Sequence, residues 1–204
     1  MIALGIDVGG TRKGFHAVTL AGDRSLRHPP GRIRRAEDLE TLIRETNPTV
    51  VAIDAPCGWS RAKSRLAERA LAQAGVSSFC TPSRERAAQT MGFYGWMFNG
   101  EAAFAAAINA RPLYRGEASF EGRTMEVFPN ATAFALSGER QPKTISKVNW
   151  RRAVLDAQGV DQSRLVNVDF VDAALCALTG LLALEGNFQG FGEPGEGILV
   201  APRF

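Results

Sequence analysis

The chain has 204 residues, enough for one domain with a sizeable core, and its 45% hydrophobic and 22% charged residues are ordinary for a globular protein. Net charge is +3 and the pI is about 9.0; most basic residues are arginine, whose planar fork suits phosphate, so an anionic partner is favoured. The longest apolar run, Phe170 to Leu184, is too short to cross a membrane and contains Asp172, no charged-then-apolar signal opens the chain, and three cysteines without a C-x-x-C fit a reducing cytoplasm.

The first stretch, MIALGIDVGGTRKGFHAV, reads as a strand, a glycine turn and a second strand. Ile2, Leu4, Ile6 and Val8 alternate with Ala3, Gly5 and Asp7, so one face is bulky and apolar and the other is small and ends in a carboxylate. Gly9, Gly10 and Gly14 relieve the backbone where it reverses. Ser25 to Arg34 reads as an edge strand weakened by Pro29 and Pro30, and Ala36 to Thr46 as a helix with Leu39, Leu42 and Ile43 buried. Val50 to Asp54 is an apolar strand that again ends in a carboxylate, and Pro56 stops it. This order places the strand of Asp54 parallel to that of Asp7, with both acids at carboxyl ends where open sheets bind ligands.

Residues 57–122 read as a helical insertion. Ser60 is positioned to cap a helix with Arg61, Arg65 and Arg69 along one side, and Thr81-Pro82 to open another. Phe93, Tyr94, Trp96 and Phe98 stand among glycines before an alanine-rich helix, Glu101 to Ala110. Basic and aromatic residues together suit a nucleic-acid strand; a solvated arginine face and aromatic core residues are the plainer alternative. Thr124 to Pro129 is a further strand carrying Glu126, and Asn130 is placed to cap a helix from Ala131 to Leu136. Lys143 and Lys147 lie in a basic linker before the helix Trp150 to Gln158. Asp169 to Glu185 is a helix apolar on nearly all sides, with Asp169 and Asp172 three apart at its start, where Asp169 also suits an N-cap. Gly197 to Ala201 is the last strand.

Asp7, Asp54, Glu126, Asp169 and Asp172 form the carboxylate set that metal-assisted phosphoryl chemistry requires. Two acids at one sheet edge repel unless a cation intervenes, so Asp7 and Asp54 point to Mg²⁺ or Mn²⁺, with Asp172 the candidate third ligand and Asp169 the alternative. Only His16 and His28 are present, so His-rich zinc sites and Ser-His-Asp triads are disfavoured. Arg61, Arg65, Arg84 and Lys147 are the candidate substrate contacts.

These stretches carry a family resemblance: Gly5-Ile6-Asp7 with Gly14, Val51 to Pro56, Thr81 to Arg84, Glu126 to Pro129, Asp169 to Ala173 and Gly195 to Ile198. The chain resembles, over almost its whole length, the family called domain of unknown function 429, regarded as predicted nucleases of the ribonuclease H-like superfold. The resemblance implies an α/β domain with a mixed five-stranded sheet flanked by helices, and acids on the first strand, near the fourth strand and on a late helix. By position these are Asp7, Asp54 and Asp169 or Asp172; Glu126 has no standard counterpart. The implied activity is metal-dependent hydrolysis of DNA or RNA. Monomer and dimer are not distinguished. Two alternatives stay open: a non-catalytic nucleic-acid or ligand-binding module, and an ATP-dependent phosphotransferase suggested by Asp7-Val8-Gly9-Gly10-Thr11, which resembles the first phosphate loop of the sugar kinase and actin group.

Overall fold

A computed structural model describes all residues, Met1–Phe204. Its centre is a sheet of seven strands in the order β3-β2-β1-β4-β5-β7-β6. These are β1 (Ile2–Val8), β2 (Phe15–Ala21), β3 (Gly31–Ile33), β4 (Val50–Asp54), β5 (Arg123–Val127), β6 (Gln189–Glu193) and β7 (Gly197–Ala201). β1, β4, β5 and β7 run parallel, while β2, β3 and β6 are joined through antiparallel pairings. A mixed sheet flanked by helices is what the resemblance implies. Its strands number seven rather than five: the six strands read along the sequence are all present, the edge strand shortened to β3, and β6 is added at the far edge, where it pairs with β7. β6 escapes the sequence pattern because Phe191 is its only buried residue.

Helices cover both faces. Leu4, Ile6 and Val8 pack with Val51 and Ile53 under α1 (Glu37–Thr46) and the second half of α4 (Met91–Ile108). Burying each such aliphatic side chain stabilises the fold by about 1.5–3 kcal/mol. α4 is one continuous helix: the glycines of its first half do not break it, and Gly100 lets it approach Ala55, whose Cβ would lie 2.6 Å from a Cβ at that position. It is the crossover between the parallel strands β4 and β5, so the 57–122 segment supplies an integral layer of the sheet.

The opposite face is covered by α5 (Pro129–Ser137), α6 (Lys147–Ala157) and α7 (Val168–Leu184), with α7 lying directly on β1, β2 and β4. The small residues of β1 make this possible. A Cβ on Gly5 would fall 2.0 Å from the Ala173 carbonyl oxygen and 2.3 Å from the Ala177 amide nitrogen. Gly180 is less tightly seated: a Cβ there would fall 2.9 Å from Val50 Cγ1 and 3.1 Å from Ala3 Cβ. Glycine and alanine here let backbone meet backbone, and this close seating fixes where the first turn of α7 arrives.

The shorter elements correct three sequence expectations. α2 (Leu66–Gln73) begins after Arg65, so Arg61, Arg65 and Arg69 do not share a helix. Asn130 lies inside the first turn of α5 rather than at its cap, which is Phe128. Thr81-Pro82 does not open a helix: α3 (Arg84–Ala88) starts two residues later, capped by Ser83, whose side chain accepts from the Arg86 amide.

Candidate active site

Period-two alternation and register place the first two acids. β1 and β4 pair in parallel with Asp7 opposite Asp54, so both side chains leave the sheet on the same face and at the same end. That is the face of Ala3, Gly5 and Ala52, against which α7 rests. α7 starts at Asn167, whose Oδ1 accepts the Phe170 amide at 3.0 Å; Asn167, not Asp169, is the N-cap. Asp169 and Asp172, three residues apart, are thereby released from capping and sit on one side of the first turn, beside Asp7.

The electrostatics follow from this crowding. Burial, followed by the charges of Asp172 and Asp169, pushes the Asp7 carboxyl up to about 7 from its ordinary 3.8; Lys13 and Lys147 pull the other way. Burial and then Asp7 and Asp172 hold Asp54 well above the usual carboxylate range. Neither Asp7 nor Asp54 receives a hydrogen bond from another side chain. The helix acids differ. Lys13 Nζ donates to both oxygens of Asp169 at 3.1 and 3.2 Å, the Arg151 guanidinium donates to Asp172, and Lys147 Nζ lies 3.4 Å from Asp172. His16, paired in register with Asp7, stands between the two groups. Its Nδ1 is 3.8 Å from Asp7 and its Nε2 3.9 Å from Asp169, too far for hydrogen bonds. Burial holds its imidazole below the usual range, so it acts as a neutral wedge, edge-on to Phe170.

The four aspartates open onto a cleft of about 520 Å³. Lys13, Lys147 and Arg151 share its charged wall, and Phe79, Phe93 and Trp96 face it from the α4 side. Lys13, His16 and Arg151 are additions to the residues expected from sequence. Lys13 in the turn after Asp7 and His16 opposite Asp7 in the hairpin have a readable signal. Arg151 does not, because the sequence pattern places Lys147 in a linker; α6 in fact begins at Lys147, and only then does Arg151 fall one turn beyond it.

The remaining expected residues lie elsewhere. Glu126 pairs in register with Ile53, not Asp54, so it projects from the opposite face of the sheet. There it is 2% exposed and accepts from Arg65 at 2.8 and 2.5 Å and from the Cys57 amide at 2.8 Å. Arg65, expected to touch substrate, is 1% exposed; its Nε also donates to Glu68 at 3.0 Å, and Glu68 accepts from the Thr81 amide and hydroxyl. Both residues belong to a buried ion-pair network that ties the start of α2 to β5. Arg84 is held by Glu101 through bonds of 2.9–3.2 Å and lies over the Phe98 ring, outside the cleft lining. Arg61 is exposed, and its amide donates to Glu196 across the turn before α2.

The donor set suits a hard divalent cation: carboxylate oxygens, those of buried Asp7 and partly buried Asp54 lying side by side without a donor. As the side chains stand, no three His, Cys, Asp or Glu groups gather closely enough to hold a metal ion by themselves. Mg²⁺ is commonly bound through one or two carboxylates, with water and substrate phosphate supplying the rest. Asp7 and Asp54 match that pattern, while Asp172 is already engaged by Arg151.

The sequence model of the family described as "Protein of unknown function (DUF429)" matches residues 5–196. The chain belongs to this family. Two solved structures similar to this DUF429 chain are both of Thermus thermophilus RuvC, one of them in complex with a Holliday junction substrate. They are 17% and 16% identical to it, each covering 91% of this chain and 97% and 96% of theirs, at a TM-score of 0.49. No curated protein matches the chain. No helix is long and apolar enough to cross a membrane.

Proposed function

We propose that the protein is a metal-dependent nuclease that hydrolyses phosphodiester bonds of nucleic acid in the cleft of Asp7, Asp54, Asp169 and Asp172. One observation carries this reading: two aspartates on adjacent parallel strands, Asp7 buried and Asp54 partly buried beside it, neither with a donor, and two more acids brought over them by α7. Like charges in that arrangement are costly unless a cation joins them. Mg²⁺ or Mn²⁺ held by Asp7 and Asp54, with Asp172 next in reach, would supply an activated water and stabilise charge on the phosphate. The residues of the chain do the remaining work. Lys13 and Lys147 draw a phosphate to the cleft mouth, Arg151 keeps Asp172 aimed inward, and Asp169 is placed to orient water. Glu126 has no part in it. All three cysteines are free, in keeping with a cytoplasmic setting.

A non-catalytic binding module is the second reading, and the ion pairs already made by Asp169 and Asp172 favour it. The phosphotransferase reading is weakened by the β1–β2 turn, where the amides of Gly9, Lys13 and Gly14 are bonded to Gly14 and Gly10 carbonyls and are not free for phosphate. Calorimetric titration with Mg²⁺ and Mn²⁺, with and without an oligonucleotide, separates the first two. Binding by the wild type that is lost in Asp7→Asn/Asp54→Asn is expected. No binding under either condition would overturn the nuclease reading in favour of the module.

A further inference from the structure

A second hollow of about 370 Å³ adjoins the acidic cleft and shares Phe79, Phe128, Lys147 and Arg151 with it. It contains no acid. Its remaining lining is Ser77, Ser78 and Asn130, whose side chains make no hydrogen bond within the chain. The hollow therefore offers two aromatic rings, three neutral polar side chains with free hydrogen-bonding capacity, and two cations on the side it shares with the acids. Phe79 is 64% exposed on the irregular segment between α2 and α3, where a large apolar ring gains little from folding. It stands edge-on to Phe93, itself 54% exposed, and to Trp96, with ring centroids 6.0 and 6.4 Å away. These rings line the mouth of the acidic cleft as well.

We infer that this hollow receives an unpaired nucleobase of the strand whose phosphate enters the acidic cleft, so that the substrate class is nucleic acid with unpaired bases rather than fully paired duplex. The inference rests on the nuclease reading above and extends it to substrate choice. The chemistry matches part by part. A base has two π faces for Phe79 and Phe128, and an edge of donors and acceptors for Ser77, Ser78 and Asn130. Its phosphate carries the negative charge that Lys147 and Arg151 complement. A base inside a duplex has its edge paired and its faces stacked, and enters such a hollow only after paying to unstack.

The test is binding of short fluorescent oligonucleotides, one single-stranded and one fully paired, by anisotropy in the Asp7→Asn background with Mg²⁺ present. Tighter binding of the single strand is expected. Adding Phe79→Ala should weaken single-strand binding by about tenfold, the usual scale for losing one base–aromatic stack, and leave duplex binding unchanged. Phe79→Tyr, which keeps a stacking face, should restore it. No single-strand preference, no effect of Phe79→Ala, or equal weakening on both substrates would overturn the inference. The two readings fail separately. Wild-type protein that shows this Phe79-dependent preference but cuts nothing refutes the nuclease and keeps the hollow. A cutting enzyme whose strand preference ignores Phe79→Ala refutes the hollow and keeps the nuclease.

Discussion

Replacing Glu126 with leucine separates a structural carboxylate from a catalytic one. The Glu126 carboxylate accepts two bonds from Arg65 and one from the Cys57 amide, all in a site from which water is excluded. Leucine fills much the same space but leaves the Cys57 amide without an acceptor, a loss of about 1–3 kcal/mol. It also leaves the Arg65 guanidinium with Glu68 as its only carboxylate partner. Breaking one side of a buried ion pair costs about 3–5 kcal/mol in all. For a chain of this length each kcal/mol lowers the melting temperature by about 2–4 °C, so a fall of roughly 6–20 °C is expected. Thermal denaturation followed by circular dichroism measures it, and cleavage assayed well below both transitions should survive. An unchanged melting temperature combined with lost cleavage would refute the reasoning and return Glu126 to the catalytic set.

Gly5→Ala should destabilise the protein by at least about 1–3 kcal/mol, since the added methyl meets backbone of α7 that cannot swing aside; urea denaturation reads this, and an unchanged midpoint would mean that α7 is not seated as described. Because α7 carries Asp169 and Asp172, the same variant should also lose metal affinity. Asp7 has a folded-state value of about 7, raised above its ordinary 3.8, so the metal-free folded chain takes up a proton in that interval more readily than the unfolded one. That contribution to stability is complete below 3.8 and disappears as pH rises through about 7. Metal-free Asp7→Asn should therefore melt higher than wild type above pH 7, with the advantage shrinking towards pH 4; the reverse order would contradict the crowding of acids. Mg²⁺ should raise the melting temperature of the wild type and not of Asp7→Asn, because only the wild type offers both strand carboxylates.

Much of this site is legible in the sequence because strand parity is local. The alternation of small and large residues along β1 already gives the face of Asp7, and the apolar run to Asp54 gives its parallel neighbour. Glu126 falls on the other face of the sheet because its face depends on how β5 aligns with β4, which no local pattern specifies: in the register formed, it opposes Ile53. Arg65 turns inward for a related reason. The spacing of Arg61, Arg65 and Arg69 suggests a helical stripe, but Arg65 is the residue before the helix, drawn inward by Glu126 and Glu68. The cations that hold the helix acids come from a turn and from α6, elements whose approach to α7 is decided only by tertiary packing.

The most direct measurement is cleavage of a labelled panel of single-stranded DNA, duplex DNA, RNA and a four-way junction, with Mg²⁺ or Mn²⁺ and with chelator. Wild-type protein, Asp7→Asn and Asp54→Asn should be compared side by side, each first verified as folded. Metal-dependent cleavage of at least one substrate by the wild type, abolished in both variants, is the result predicted here. Cleavage by Asp7→Asn at the wild-type rate, or none by the wild type on any substrate with either metal, would contradict the assignment of this cleft as a nuclease site.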